Sequence, residues 1–128
     1  MLNWRRPTNL GLKDRRLAPC KSTPNCVSSQ ADAADSEHYI APISFRGSAA
    51  SLRRAVESME RATVIKAEGN YLYAEYRSKL LRYVDDLELY YDDLQGMVHV
   101  RSASRLGRRD FGVNRNRVER LRRIIAKL

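Results

Sequence analysis

Between Thr63 and Ala103 the chain reads as successive strands joined by turns too short to permit parallel crossovers. Thr63–Ala67 begins with β-branched residues, Gly69 and Asn70 supply a tight turn, and Tyr71–Arg77 returns as the hairpin partner. Leu80–Tyr91 is a longer strand signal, and Gly96 turns the chain into Met97–Ala103. Helical patterns flank this meander. Ser48 can cap a helix reaching about Ala62, with Leu52, Ala55, Val56 and Met59 on one apolar stripe and Arg53, Arg54, Glu57 and Glu60 outside it. A last helix is expected from about Val113 to Lys127, its stripe made by Val118, Leu121, Ile124, Ile125 and Leu128. The pattern predicts an α+β fold: a helix, a four-stranded antiparallel meander and a C-terminal helix, with both helices on one face of the sheet.

Residues 1–46 read as an extended N-terminal arm, because Pro7, Gly11, Pro19, Pro24 and Pro42 leave little room for a helix. Trp4, the cysteines, Ile40 and Ile43 favour docking of this arm on the domain formed by residues 47–128, and Tyr39–Ile43 could add a short edge strand. At 128 residues one domain overall is expected. No apolar run approaches the roughly 20 residues of a membrane span.

The net charge of +9 points first to an anionic partner, but its distribution along the chain argues otherwise. Residues 1–31 carry +5, residues 32–66 are neutral, residues 67–100 carry −4 and residues 101–128 carry +8. An acidic middle beside a basic end can satisfy itself internally. Arg115, Arg120, Arg122 and Arg123 point away from the apolar stripe of the last helix and read as a solvated basic face. Nucleic acid is therefore a disfavoured partner, although a nucleic-acid or anionic-membrane surface on that helix stays an alternative.

Cys20 and Cys26 are too far apart for a redox Cys-x-x-Cys motif and wide of common zinc spacings. They read first as two ordinary thiols, second as a short disulfide, and only third as metal ligands with His38 and His99. The twin arginines Arg5 and Arg6 lead into Pro7, Thr8 and Asn9 and not into an apolar core, so no export signal is read and the cytoplasm is the expected compartment.

Polar residues interrupt the pattern at two places. By period two, Asp85 falls in a row with Leu81, Tyr83, Leu87, Leu89 and Tyr91. It is either a buried, pocket-lining acid or part of a β-bulge that swings Asp85 and Asp86 into solvent; the cost of an unpaired buried carboxylate favours the bulge. The second place is the dense polar stretch 101–117. Asn114 and Arg117 each lie four residues before an apolar-stripe position, so both face the sheet. A helix start near Gly112 with neighbouring arginines could cradle an anion. The competing reading is an internal network, in which Arg101 or Arg117 pairs with Asp85, Glu88 or Asp110 while Asn114 caps its helix. Phosphate-loop, dinucleotide, serine-hydrolase and zinc-protease motifs are absent from the sequence.

The segments LAPC at 17–20, PNCVSSQ at 24–30, VDDLE at 84–88, VRSASR at 100–105 and GVNRNRVE at 112–119 resemble the domain of unknown function 1499 family. RRPTNLG at 5–11 is similar to a subgroup of short bacterial members. The resemblance covers nearly the whole chain and implies a single-domain protein of bacterial or plastid type, without supplying an activity. Its motifs coincide with the arm and with the polar stretch, which suggests that the two meet in space.

The leading functional expectation is a non-enzymatic binding domain. An Arg-rich polar pocket, drawn from Arg101, Ser102, Ser104, Arg105, Asn114 and Arg117 with Asp85 and Glu88 nearby, would take an anionic small ligand or an acidic protein surface. The alternative is an enzyme using Asp85 or Glu88 with Ser102 or Ser104. No cofactor and no metal are expected.

Overall fold

A computed structural model describes residues 5–78 and 83–128. Strands β1 (Cys26–Ser28) and β2 (Ile43–Ser44) precede helix α1 (Ala49–Glu57). Strands β3 (Ala62–Glu68), β4 (Tyr71–Arg77), β5 (Val84–Asp92) and β6 (Met97–Ser104) follow, and helix α2 (Val113–Ala126) closes the chain. The antiparallel meander β3–β6 and the two helices are as expected.

The sheet has six strands where four were expected. The arm contributes the other two: β1 and β2 both pair antiparallel with β6, placing Val27 opposite Ser102 and Ile43 opposite Val98. Strand β2 begins at Ile43, the end of the short edge strand expected at Tyr39–Ile43, whereas the three residues of β1 carry too few alternating positions to announce themselves by periodicity. Trp4, Leu80 and Leu81, which the sequence reading used, lie outside the described residues.

Ser48 caps α1 as expected, its Oγ accepting from the Ser51 amide. The helix stops at Glu57 instead of reaching Ala62. The Ser58 hydroxyl donates to the Ala55 carbonyl, and Arg61 adopts a left-handed backbone that turns the chain into β3. Met59 is nonetheless buried.

Both faces of the sheet are covered, which explains why β4 is buried without a break from Tyr71 to Tyr76. One face presents Leu72, Ala74, Leu87, Leu89, Val98 and Val100 to Leu52 and Val56 of α1 and to Val118, Leu121 and Ile125 of α2. Val27, Ile40 and Ile43 of the arm complete this core, which supplies the hydrophobic driving force for folding. The opposite face carries Tyr71 and Tyr73, packed beneath Leu10 and Leu17 of the arm. The layers are therefore helices, sheet and arm.

Two expectations are overturned. No bulge occurs at Asp85: the residue sits in unbroken register opposite Tyr76 on β4 and Ser104 on β6, and Asp86 sits opposite Glu75 and Ala103. Both carboxylates stay buried because each has an arginine partner, so the penalty that favoured a bulge does not arise. The only shift of register in the β3–β4 pairing lies between Val64 and Lys66. Cys20 and Cys26 are joined in a disulfide, which corrects the first reading as two thiols. The turn through Pro24 brings their Cα atoms to 5.6 Å, within bridging range.

Candidate functional site

The sheet divides the predicted pocket residues into two groups that never meet. Ser102 and Ser104 project toward α2 and Arg101 toward the arm, as period two along β6 requires. Arg105 follows Arg101 in parity and in direction.

On the helix face Asn114 is the hub. Its side chain is fully buried; Nδ2 donates to the Asn25 carbonyl at 3.2 Å, Ser104 Oγ at 2.9 Å and Asp110 Oδ2 at 2.8 Å. Its Oδ1 accepts from Ser102 Oγ at 2.6 Å and from Arg117 Nη1 at 2.8 Å. Asn25 also donates to the Gly107 carbonyl, so the arm and the polar stretch do meet. Asn114 does not cap α2. Asp110 takes that role, accepting from the Gly112 and Asn114 amides at 2.9 and 3.1 Å, which fills the helix start expected to cradle an anion.

Arg117 Nη2 lies 2.8 Å from Asp85 Oδ2, and its guanidinium stacks 4.5 Å from the centre of the Tyr76 ring. Burial pushes the Tyr76 hydroxyl up to about 12 although Arg117 and Arg120 pull it down.

On the arm face a second, wholly different set forms. Arg105 holds Asp86 through Nε at 2.9 Å and Glu75 through Nη2 at 2.6 Å, and also reaches the Tyr73 hydroxyl. Tyr73 donates to Asp86 and Tyr71 to Glu88; burial first, and these carboxylates second, raise both phenols well above their ordinary value. Arg6 closes the set from the arm, its Nε 2.9 Å from Glu75. Burial pushes the Glu75 carboxyl upward, but hydrogen bonds from Arg6, Arg105 and Tyr73 prevail and hold it below the usual range. Glu88 accepts from the Gly11 amide at 2.8 Å and lies 3.7 Å from Arg101, whose guanidinium is shifted down by burial. Most of these groups satisfy one another under the arm, but Glu88 Oε1 and Arg101 Nε are buried without a hydrogen-bond partner among the described residues. Among the described residues no cluster of His, Cys, Asp and Glu is suited to a metal ion.

An open groove of about 1030 Å³ lies where the ends of β4 and β5 meet the segment leading into α2. Met59, Tyr76, Val84, Leu106, Phe111 and Val113 give it an apolar lining, and Arg61, Arg77, Arg109, Arg117 and Arg120 give it cations. Of the predicted residues only Asp85, Ser104 and Arg117 line it; Arg101, Ser102, Arg105, Asn114 and Glu88 do not. Arg61 pairs with Glu60, Arg77 approaches Glu75 at 3.8 Å and Arg117 holds Asp85. Arg109 and Arg120 make no ion pair among the described residues.

Sequence reasoning missed Glu75, Tyr71 and Tyr73 and turned Asp86 toward solvent, although their shared parity on β4 and β5 was available. It passed over Arg109; Arg120, expected on the solvated face, is exposed and lines the groove. Two of the other outward arginines have work within the fold: Arg115 donates to the Ser36 carbonyl and Arg122 to Ala41 and Pro42, fastening the arm.

A family model described as "Protein of unknown function (DUF1499)" matches residues 16–125. No curated protein and no solved structure matches the chain.

Proposed function

The chain belongs to that family, and from this premise we propose that it is a binding module, not a catalyst, for a small amphipathic anion held in the groove beside α2. The observation that carries the reading is the pairing of an apolar floor with Arg109 and Arg120, two cations that form no ion pair with a carboxylate among the described residues. A ligand with a hydrocarbon or aromatic body would cover Met59, Val84 and Val113 while its anionic head met those guanidinia. Arg117 has another part: with its donors taken by Asp85, Asn114 and Ser102, it fixes the wall.

Support for binding over catalysis comes from the serines. Ser102 donates to the carbonyl of Asn114, an amide that cannot accept its proton, and Asp85 is held by Arg117 instead of by a hydroxyl.

Calorimetric titration with decanoate and with decanol tests the reading. Decanoate should bind, decanol should bind at least tenfold more weakly, and the Arg109→Ala, Arg120→Ala double variant should lose about tenfold in decanoate affinity, a difference of about 1.4 kcal/mol. Equal binding of acid and alcohol, or an unaffected double variant, overturns it. An acidic peptide that displaces decanoate would reassign the groove to a protein partner.

A further inference from the structure

Phe111 is held in a left-handed backbone conformation, φ 54°, that a bulky L residue rarely adopts, and its side chain is 92 % exposed. Gly112 beside it is also left-handed, so the turn is committed to presenting that ring. Sparsely populated conformations persist where the surrounding structure imposes them and cluster at functional positions. The ring has no place in either hydrophobic cluster of the fold.

Its neighbourhood is amphipathic. Arg108 and Arg109 precede it, and Tyr83 and Val113, 42 % and 46 % exposed, line the same groove mouth. The local acids are already engaged: Asp110 caps α2 and Glu60 pairs with Arg61.

We propose that this rim docks on an anionic lipid bilayer, with the Phe111 ring entering the boundary between headgroups and acyl chains and Arg108, Arg109 and Arg120 facing the headgroups. An aromatic ring flanked by cations matches the two forces that hold peripheral proteins on such surfaces, apolar insertion and attraction to the negative surface potential. No described helix is long and apolar enough to cross a membrane. A single-stranded nucleic acid fits less well. Its bases need a row of aromatic platforms along a basic track, whereas Tyr71, Tyr73 and Tyr76 are buried and the rim adds the aliphatic Val113. The proposal rests on the exposed rim, not on occupancy of the groove, so it can fail while decanoate still binds, and the reverse.

Co-sedimentation of the intact protein with vesicles tests it. The protein should sediment with phosphatidylcholine vesicles containing phosphatidylglycerol and stay in solution with phosphatidylcholine alone. Phe111→Ser should lower the partition coefficient about tenfold. Arg108→Ala should lower it about fivefold. Both variants should melt with the parent protein, since neither side chain is buried. Phe111→Trp should retain binding, with emission moving to shorter wavelength on the vesicles. Equal sedimentation with both vesicle types, or parental sedimentation of Phe111→Ser, overturns the proposal. So does displacement of the protein from vesicles by an oligothymidylate that binds it more tightly.

Discussion

Asp85 and Arg117, one on the third strand of the meander and one on the last helix, form an ion pair 2.8 Å long that ties the sheet to α2 at the floor of the groove. Each side chain is only 12 % exposed, so each depends on the other for the solvation it has lost. Arg117→Leu should therefore cost about 3 kcal/mol in urea denaturation, by leaving a carboxylate unpaired. The double change Asp85→Leu, Arg117→Leu should cost clearly less than the sum of the single changes. Additive losses would show that the two residues act independently.

Arg105 and Arg6 both reach Glu75, yet they should differ sharply in weight. The Arg105 side chain is 6 % exposed and serves two carboxylates, whereas that of Arg6 is 52 % exposed at the arm. Arg105→Ala should destabilise by about 3 kcal/mol or more, since Glu75 and Asp86 would stay buried with their main cation gone. Arg6→Ala should cost no more than about 1 kcal/mol, because solvent screens its charge. Its clearer signature should be faster hydrogen exchange at the Gly11 amide, which donates to Glu88 beneath the arm. Unchanged exchange there would show that Arg6 does not hold the arm down.

The same contrast marks what was legible in advance. The meander was readable because β-branched and aromatic residues enrich its strands and left-handed glycines at 69 and 96 sit at two of its turns. The inward phase of Asn114 and Arg117 was readable from helical spacing, and both do face the sheet. Periodicity gives a face, however, and not a partner. It separates Arg101 from Ser102 at once, and gathering them into one pocket overlooked that separation. The arginines on β6 and α2 were seen, but the tertiary pairing that buries Asp85 and Asp86 was needed to decide against a bulge. Groove residues such as Arg109 and Phe111 lie in an aperiodic segment, where only the folded backbone shows which way a side chain points.

The Cys20–Cys26 disulfide closes a loop of six residues' separation at the point where the arm enters β1. In the chain-entropy account a loop of this size stabilises the fold by about 2 kcal/mol, so dithiothreitol or a Cys20→Ser, Cys26→Ser variant should lower stability by about that amount. The loss should concentrate in β1, where Val27 pairs with Ser102 and Asn25 meets Asn114. Hydrogen exchange should accelerate at the Ser104 amide, which donates to Asn25, before it does in β4 or β5. A melting curve indifferent to reductant would rule out a structural contribution from the bridge.

His38 gives the arm a pH dependence of opposite sense to acid denaturation. Its Nδ1 lies 2.7 Å from Asp35 and its Nε2 lies 3.0 Å from the Thr23 carbonyl, so both ring nitrogens can donate and the protonated imidazole is favoured. The hydrogen bond to Asp35 leads, and the pKa is raised above its ordinary 6.5. A group whose pKa is higher in the folded state contributes stability that is fully present below the unfolded value. That contribution is lost as the pH rises through the folded value. Stability should therefore fall as the pH rises from below the ordinary 6.5 through the raised folded value, in the region where His38 accepts the Ser28 amide on its carbonyl and so anchors β1. His38→Gln, which can still donate one hydrogen bond but does not titrate, should flatten that slope. Urea midpoints at the two ends of the range measure it. An equal slope in the variant would place the titration elsewhere; His99, whose pKa burial lowers, would contribute with the opposite sign and is thereby distinguishable.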